Sequence, residues 1–346
     1  SIARYIGVNM ALYLAFLFIP YLPHRKRFEM YIITIFKGFF ITIFYAGVLF
    51  AGLAAIIFAL DKLLGVNMLN HIYYYTWLLV VCAFAPTYFL AGIPLINDDE
   101  TKSVYPKIIR VLFLYIVMPL LVIYTAILYA YFFKIILTQK WPIGLVSHLV
   151  LWSSTIAAIV LFFITPIKDE NKWARTFFAW FPKIIIPILI MMFFSMGIRV
   201  KAYGITENRY YVILLGLWIF GVMIYFSSVK KTKNIIPFTA LSIIALIAVF
   251  GPLSSFSISR ASQNSRLKGI LENNNMIDED RILQAPETIS SEDMEEISRI
   301  LDYFENNHNL DYVKYVPQGF KKEDMDKVFG FTYKTPQYGY DRQYIF

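Results

Sequence analysis

The sequence predicts an all-α protein: a polytopic transmembrane helical bundle of about eight helices, with a small soluble α-rich tail domain at its C-terminus. Hydrophobic residues make up 58% of the 346 residues, whereas soluble domains contain roughly 45–50%. Charged residues make up 16%, where about 25% is usual. The apolar excess lies in long blocks before position 253. A water-soluble core cannot bury that much apolar surface at this length, so lipid is the expected solvent for these blocks.

Eight segments are long and apolar enough to cross a membrane, because a spanning helix needs about 20 mostly apolar residues and must pair all its amides internally. Their approximate bounds are 3–22, 31–60, 72–96, 108–137, 143–167, 183–200, 209–229 and 236–253. We therefore assign residues 1–253 to a transmembrane domain and residues 254–346 to a C-terminal domain. Pro86, Pro119 and Pro187 lie inside the apolar segments, where each removes a backbone hydrogen bond and favours a kink.

The basic charge of the chain belongs to its membrane part. Residues 254–346 contain 11 Lys and Arg against 16 Asp and Glu, so the totals of 32 and 24 leave 21 and 8 in residues 1–253. Basic residues in a membrane domain set its topology and contact anionic headgroups. We expect the lipid bilayer and its anionic lipids as partners. We expect no nucleic acid, because no basic soluble module is present to bind it.

The loop charges predict an orientation. Loops and helix ends on one side carry 14 Lys and Arg, among them Lys168 and Arg175, and those on the other side carry seven. Because cytoplasmic loops are enriched in Lys and Arg, the first set is placed in the cytoplasm and the C-terminal domain outside it.

Two interpretations fit residues 172–180: an interfacial aromatic anchor, or a short amphipathic helix along the membrane surface. An apolar segment follows Ser1 almost at once and lacks a signal-peptide pattern, so we expect a longer protein with earlier helices.

The C-terminal domain is predicted to be mostly helical. A helix is expected over residues 254–275, followed by an acidic linker. Ser290 with Asp293 three residues later is typical of an N-terminal cap. A short helix is expected from Lys321 to Phe329, closed by Gly330. The helix after the cap has one apolar face at helical spacing, formed by Met294, Ile297, Leu301 and Phe304.

Few residues offer chemistry. Ionisable groups at mid-membrane depth mark ion and substrate pathways, but Lys37 and Lys134 lie near helix ends, where they can extend to the headgroups. His148 has hydroxyl residues nearby, yet the spacing orients no base toward a nucleophile. The four histidines are scattered and Cys82 is the single cysteine, a pattern without metal-site spacing. We expect no catalytic residues, no metal and no cofactor.

The connection between the sixth and seventh segments, residues 199–211, is the strongest candidate for a site. Gly204 suits its turn, Thr206 can cap the next helix, and Glu207 suits the positive end of that helix. Arg209 does not suit that end, so it needs a partner: Glu207, a lipid phosphate or an anionic ligand. The segment is either a tight hairpin with its own ion pair or a ligand or partner site, whose candidate residues are Arg199, Tyr203, Glu207 and Arg209.

Two motifs carry a family resemblance. The first is the run from Tyr203 to Tyr210, YGITENRY, with Leu-Trp seven residues later. The second is the run from Phe250 to Ser259, which continues with Gln263, Arg266 and Leu267. Together with Asn-Lys-Trp at 171–173, they resemble the bacterial membrane family called domain of unknown function 4153, over residues of about 90 to 310. The resemblance implies a multi-pass bacterial membrane protein without an established activity, whose members are often longer at the N-terminus. It supplies no catalytic residues.

Two functional hypotheses follow. The first is a non-catalytic component of the bacterial cytoplasmic (inner) membrane that acts in envelope assembly, or as a scaffold, through an envelope protein bound to the extracytoplasmic C-terminal domain. The second is a transporter or channel for an anionic or amphiphilic solute, which the prolines within helices and the pair Arg199 and Arg209 favour. An intramembrane enzyme has no constellation of residues behind it.

Overall fold

The computed structural model describes residues 2–19, 22, 28–64, 71–93, 105–138, 145–229, 232–278 and 281–334. All eight apolar segments form helices, so the predicted fold class is confirmed. Two of them each contain a π-helical turn. The helices are α1 (Ile2–Phe18), α2 (Phe28–Leu64), α3 (His71–Leu79, π-turn Val80–Phe84, Ala85–Ala91), α4 (Lys107–Val111, π-turn Leu112–Val117, Met118–Thr138), α5 (Leu145–Ile164), α6 (Lys172–Tyr203), α7 (Glu207–Ser228) and α8 (Ile235–Val249).

Six of these helices, α2 to α7, are long and apolar enough to span a membrane within the described residues. The other two are shorter: α1 has 17 residues and α8 has 15. At 1.5 Å per residue they are about 26 and about 23 Å long, against about 30 Å of hydrocarbon. These two helices pack against each other through small residues. A Cβ at Gly7 would lie 2.7 Å from Val249 Cγ1, and the Ser242 hydroxyl donates to the Ala11 carbonyl at 3.1 Å. Small residues allow two helix backbones to approach this closely in lipid.

The largest hydrophobic core lies among α4, α5, α6 and α7. Helix α5 is at its centre, whereas α3 is peripheral and has one buried residue, Val80. Large apolar side chains on the outer surfaces of the helices are exposed, as expected where acyl chains replace water. The apolar residues of α5 that are fully buried are Val150, Ala157, Val160, Leu161 and Ile164.

Each π-helical turn ends two residues before a proline, Pro86 in α3 and Pro119 in α4. Proline lacks an N–H and its ring clashes with the carbonyl four residues earlier, at Cys82 and Tyr115. A π-turn widens the helix at that point and relieves the clash. Helix α6, in contrast, continues as an α-helix through Pro187. The backbone irregularity expected at these three prolines is therefore found at Pro86 and Pro119 but not at Pro187.

Residues 172–180 do not form a separate surface helix, so that reading of the sequence was wrong. They are the first turns of α6, which begins after Asn171, whose side chain accepts a hydrogen bond from the Ala174 amide at 3.1 Å. Phe177 and Phe181 are buried in the bundle core. Trp173 donates to a carbonyl of α4 at 3.1 Å. The aromatic residues that suggested a surface helix are thus divided between the core and the outer surface of a spanning helix.

The chain after α8 forms a second hydrophobic core. It contains α9 (Ser255–Asn273), the strands β1 (Ile277–Asp278) and β2 (Arg281–Ile282), α10 (Ser291–Asn307) and α11 (Met325–Phe329). Both caps predicted for this region are confirmed: the Ser290 side chain accepts from the Asp293 amide at 3.0 Å, and Gly330 ends α11 with a left-handed φ of 80°. The predicted linker contains a two-residue antiparallel ladder instead of coil alone. The core of this region includes Leu267, Leu271, Ile297, Leu301, Phe304 and Phe329.

Candidate functional site

The two sequence motifs meet at one end of the bundle, where the α6–α7 turn and the first turns of α7 pack against α9. Tyr210 at the start of α7 donates its hydroxyl hydrogen bond to the Leu253 carbonyl at 2.5 Å. The Tyr211 and Ser255 hydroxyls lie 2.9 Å apart. The guanidinium of Arg4 of α1 lies over the ring of Phe256 on α9, 5.3 Å from its centre. We call this contact region the junction, because it joins the membrane helices to the C-terminal core.

Gly204 allows the turn to approach α9. Its backbone has φ 68° and ψ 179°, a region open essentially to glycine alone. The Gln263 side chain donates to the carbonyls of Tyr203 and Ile205 at 3.1 and 3.2 Å, and Ser262 Oγ accepts from the Ile205 amide at 2.8 Å. A Cβ at position 204 would lie 2.8 Å from Gln263 Nε2. Glycine is therefore required at position 204 for two reasons: the backbone conformation excludes other residues, and a Cβ would clash with the Gln263 side chain.

Of the partners predicted for Arg209, an ion pair with Glu207 was wrong, because Arg209 binds backbone carbonyls instead. Arg209 Nη1 donates to the carbonyls of Tyr203 and Gly204 at 3.3 and 3.0 Å. These carbonyls end α6, where the helix dipole is negative and a cation is favourable. The guanidinium also lies 5.6 Å from the centre of the Tyr203 ring. An arginine that is unfavourable at the start of α7 is thus stabilised by the end of α6.

Glu207 turns toward His308, which follows α10. Its carboxylate oxygen lies 3.5 Å from His308 Nε2, while the Tyr303 hydroxyl and Ser259 Oγ lie 3.2 and 3.5 Å from the same nitrogen. The His308 side chain is 4% exposed. Its burial and the positive charge of Arg260 lower the pKa of His308 to about 4. The imidazole is therefore neutral at pH 7.

These polar groups are not arranged as a catalytic triad. A triad places the nucleophile and the acid on opposite nitrogens of the imidazole, whereas Ser259 and Glu207 both face Nε2. Ser259 is completely buried. Thr206 occupies the position before α7, but its side chain makes no capping bond. The geometry is that of a buried polar contact between helices.

Positive charge accumulates beside this contact. Arg266 of α9 forms a short ion pair with Glu296 of α10, which also binds Arg299 at 2.8 Å. Burial lowers the pKa of Arg266, and the Glu296 carboxylate partly offsets that effect. Arg209 and Arg266 both lie over the Tyr203 ring, at 5.6 and 5.7 Å from its centre. Arg199 has no bonded partner among the residues that the structure describes.

The structure thus brings Arg209 to the Tyr203 ring and turns Glu207 toward His308. Arg199 lies one helical turn before Tyr203 on the same face of α6. The sequence interpretation did not assign a role to several residues that complete the junction. For α9 a signal was available, because positions 259, 263 and 266 of the second motif share one helix face. No comparable signal marks the residues from α10 and the chain after it. The residues without an assigned role were Ser259, Ser262, Gln263, Arg266, Tyr303 and His308.

The fold and the junction define a class: a multi-pass α-helical membrane protein with a helical C-terminal region packed on one end of its bundle. The family model described as "Domain of unknown function (DUF4153)" matches residues 2–291, and the chain belongs to this family. The resemblance seen in the two motifs is therefore confirmed, and the match extends it to the N-terminal helices.

A curated relative is an uncharacterized protein of Pasteurella multocida (strain Pm70). It is 21% identical over 343 residues, which cover 95% of this chain and 57% of the relative. The chain therefore spans a little over half the length of that relative. No solved structure matches the chain.

Replacing Gly204 by alanine should destabilise the junction by about 1–3 kcal/mol, because the new Cβ meets Gln263 and the backbone becomes strained. Thermal unfolding of the purified chain in detergent, followed by tryptophan fluorescence, measures the effect. Gly269→Ala on α9 is the matched control, since a Cβ there meets nothing within 4 Å. Equal melting temperatures for the Gly204 variant and the wild type would contradict the close approach.

The stability of the junction should fall in acid. The folded pKa of His308 is about 4, whereas the unfolded value is near 6.5. The unfolded chain binds more protons between these values, so stability is fully present above about pH 6.5 and decreases toward pH 4, by roughly 3 kcal/mol in all. Groups that face His308 are Glu207 from α7, Ser259 and Arg260 from α9, and Tyr303 from α10.

The check is the melting temperature of wild type and of His308→Gln as the pH is lowered through this range. The variant cannot take up the proton, so its melting temperature should fall less steeply than that of the wild type. Parallel pH profiles would show that His308 does not couple folding to protonation.

Proposed function

We propose that this chain is a non-catalytic component of the bacterial cytoplasmic (inner) membrane and holds its C-terminal domain outside the cytoplasm. There the domain binds an envelope protein, either in envelope assembly or as a scaffold. The observation that carries the proposal is the junction. Its polar side chains are engaged in joining two helical cores: Arg209 binds carbonyls, Glu207 faces a buried histidine, and Gln263 bridges a turn. Such a network holds the C-terminal domain in one position against the membrane helices.

Two further observations support the location. A bundle of helices is the architecture of cytoplasmic-membrane proteins, since spanning proteins of the bacterial outer membrane are β-barrels. The junction lies at the end where α6 finishes and α7 begins, on the side that carries seven basic residues. The opposite end carries 14, which favours the cytoplasm for that end.

Cysteine labelling tests this orientation. Starting from Cys82→Ser, single cysteines replace Lys327 in the C-terminal domain and Glu170 at the opposite end, both exposed. A membrane-impermeant maleimide added to intact spheroplasts should label the cysteine at position 327 and should reach position 170 only after permeabilisation. Labelling in the reverse pattern would refute the extracytoplasmic location.

Photo-crosslinking in living cells tests the partner. A crosslinking amino acid in place of the exposed Leu283 of the C-terminal domain should give a discrete protein adduct. The control position is Leu217, an exposed apolar residue of the membrane helix α7, where lipid adducts are expected. The absence of any protein adduct at Leu283 and at the neighbouring exposed Glu287 would count against a partner on this face.

Transport of an anionic or amphiphilic solute is the second candidate. The π-turns before Pro86 and Pro119 favour it, because such irregular turns are frequent at functional sites. Uptake of such a solute into proteoliposomes, lost in Arg199→Gln, would support transport over the scaffold. Arg209 is unsuitable for that comparison, because it holds the α6–α7 turn.

A further inference from the structure

Lys183 lies inside a spanning helix and not at its end. The sequence placed the start of this segment at residue 183, but α6 begins at Lys172, so Lys183 is about 16 Å along the helix. The carbonyl of the next residue, Ile184, accepts a hydrogen bond from the Tyr129 hydroxyl at 2.7 Å. Tyr129 belongs to the apolar span Ile109–Thr138 of α4. Lys183 is therefore level with an apolar part of the bundle.

The Lys183 side chain is exposed on the outer surface of α6. Within the described chain no carboxylate pairs with it, and its ammonium lies over the Trp180 ring, 5.4 Å from the ring centre. Trp180 is 62% exposed and lies nearer the start of the helix. Lysine side chains on a spanning helix extend toward the nearer headgroups, and tryptophan is enriched at the headgroup level. The pair therefore marks how far headgroups reach along α6 on this face.

An exposed cation at this depth needs an anion. An ammonium in hydrocarbon is costly, and the cost falls where the bilayer thins locally and headgroups reach the charge. The Trp180 ring attracts the ammonium but does not neutralise it. A phosphate does, and its oxygens match the three N–H donors of lysine. Lys172 and Arg175 add positive charge at the start of the same helix, which favours a lipid with a net negative charge.

The surface beyond Lys183 is apolar and continues on the same face of α6. Ile190 and Phe194 follow Lys183 by seven and eleven residues, so each lies within about 20° of it around the helix axis. Both side chains are exposed, and residues 184–198 contain no Lys, Arg, Asp or Glu. A headgroup at Lys183 and an acyl chain along Ile190 and Phe194 therefore fit one lipid molecule, directed from the headgroup level toward the bilayer centre.

We propose that Lys183, held by Trp180, binds the phosphate of an anionic phospholipid, while an acyl chain of that lipid lies along Ile190 and Phe194. The lipid supplies the counter-charge that Lys183 lacks within the described chain, and its headgroup is drawn inward on this face of the bundle. The site rests on α6 spanning the membrane and not on the proposed envelope partner, so either proposal can fail without the other.

Native mass spectrometry of the purified full chain, titrated with phosphatidylglycerol, tests the site. Lys183→Gln should weaken lipid binding about ten-fold, because it removes charge-assisted hydrogen bonds to the phosphate. Lys183→Arg keeps a phosphate-binding cation and should retain most of the affinity. The matched control is Lys201→Gln, which removes the same charge from an exposed position on the same face, about five turns along α6. It should change binding by less than about two-fold.

Thermal stability gives a second readout. Both lysines are exposed, so in lipid-free detergent both glutamine variants should melt with the wild type. Phosphatidylglycerol should raise the melting temperature of the wild type, because a ligand that binds the folded state stabilises it, and should do so less for Lys183→Gln. Diacylglycerol, which has acyl chains but no phosphate, and millimolar inorganic phosphate, which has no acyl chain, should stabilise neither protein.

Three outcomes would overturn the proposal. Equal losses of lipid binding in Lys183→Gln and Lys201→Gln would indicate general attraction to anionic lipid. Unchanged binding in Lys183→Gln would show that no phosphate is held there. Stabilisation by inorganic phosphate equal to that by the lipid would replace the lipid by a free anion.

Discussion

The contact between the α6–α7 turn and α9 is the constraint on which the arrangement of the two helical cores depends. It requires a backbone conformation that glycine adopts without strain, and it brings the Gln263 amide within hydrogen-bonding distance of two carbonyls at once. Backbone groups in a turn at the membrane boundary must be paired when water is excluded. Here α9 supplies the partners, so the turn and α9 satisfy each other. Loss of Gln263 would leave both carbonyls with poorer partners, which is why the two motifs form a single structural unit.

Electrostatics at the junction follow from the directions of the helices. Helix α6 ends and α7 begins at the same place, so negative and positive dipole ends lie side by side. Arg209 reaches back to the end of α6, and Glu207 remains near the start of α7 but faces His308. Each charged group is thereby placed on the helix end that suits it. This pairing across helices explains why two residues of opposite charge, two positions apart in the sequence, do not bind each other.

Much of the fold was predictable from the sequence, because hydrocarbon imposes a length and an apolar composition on each spanning helix. The caps at Ser290 and Gly330 were predictable for a similar local reason. Residues 172–180 were harder to interpret, since Lys, Arg and Trp at a helix start suit both a surface helix and the first turns of a long spanning helix. Length alone did not separate the two, because α6 is longer than the hydrocarbon requires.

The junction was only partly predictable, because it joins residues that are far apart in the chain. Gly204 and Arg209 belong to a local pattern, but the partner of Glu207 lies 101 positions later at His308, and hydropathy carries no information about such a pairing. Arg266 shows the same limit: it is an ordinary cation on a polar helix until α9 packs against the turn and places it 5.7 Å from the centre of the Tyr203 ring. The approach of Arg209 and Arg266 to one aromatic ring is therefore a property of the packing, which the hydropathy of the sequence does not encode.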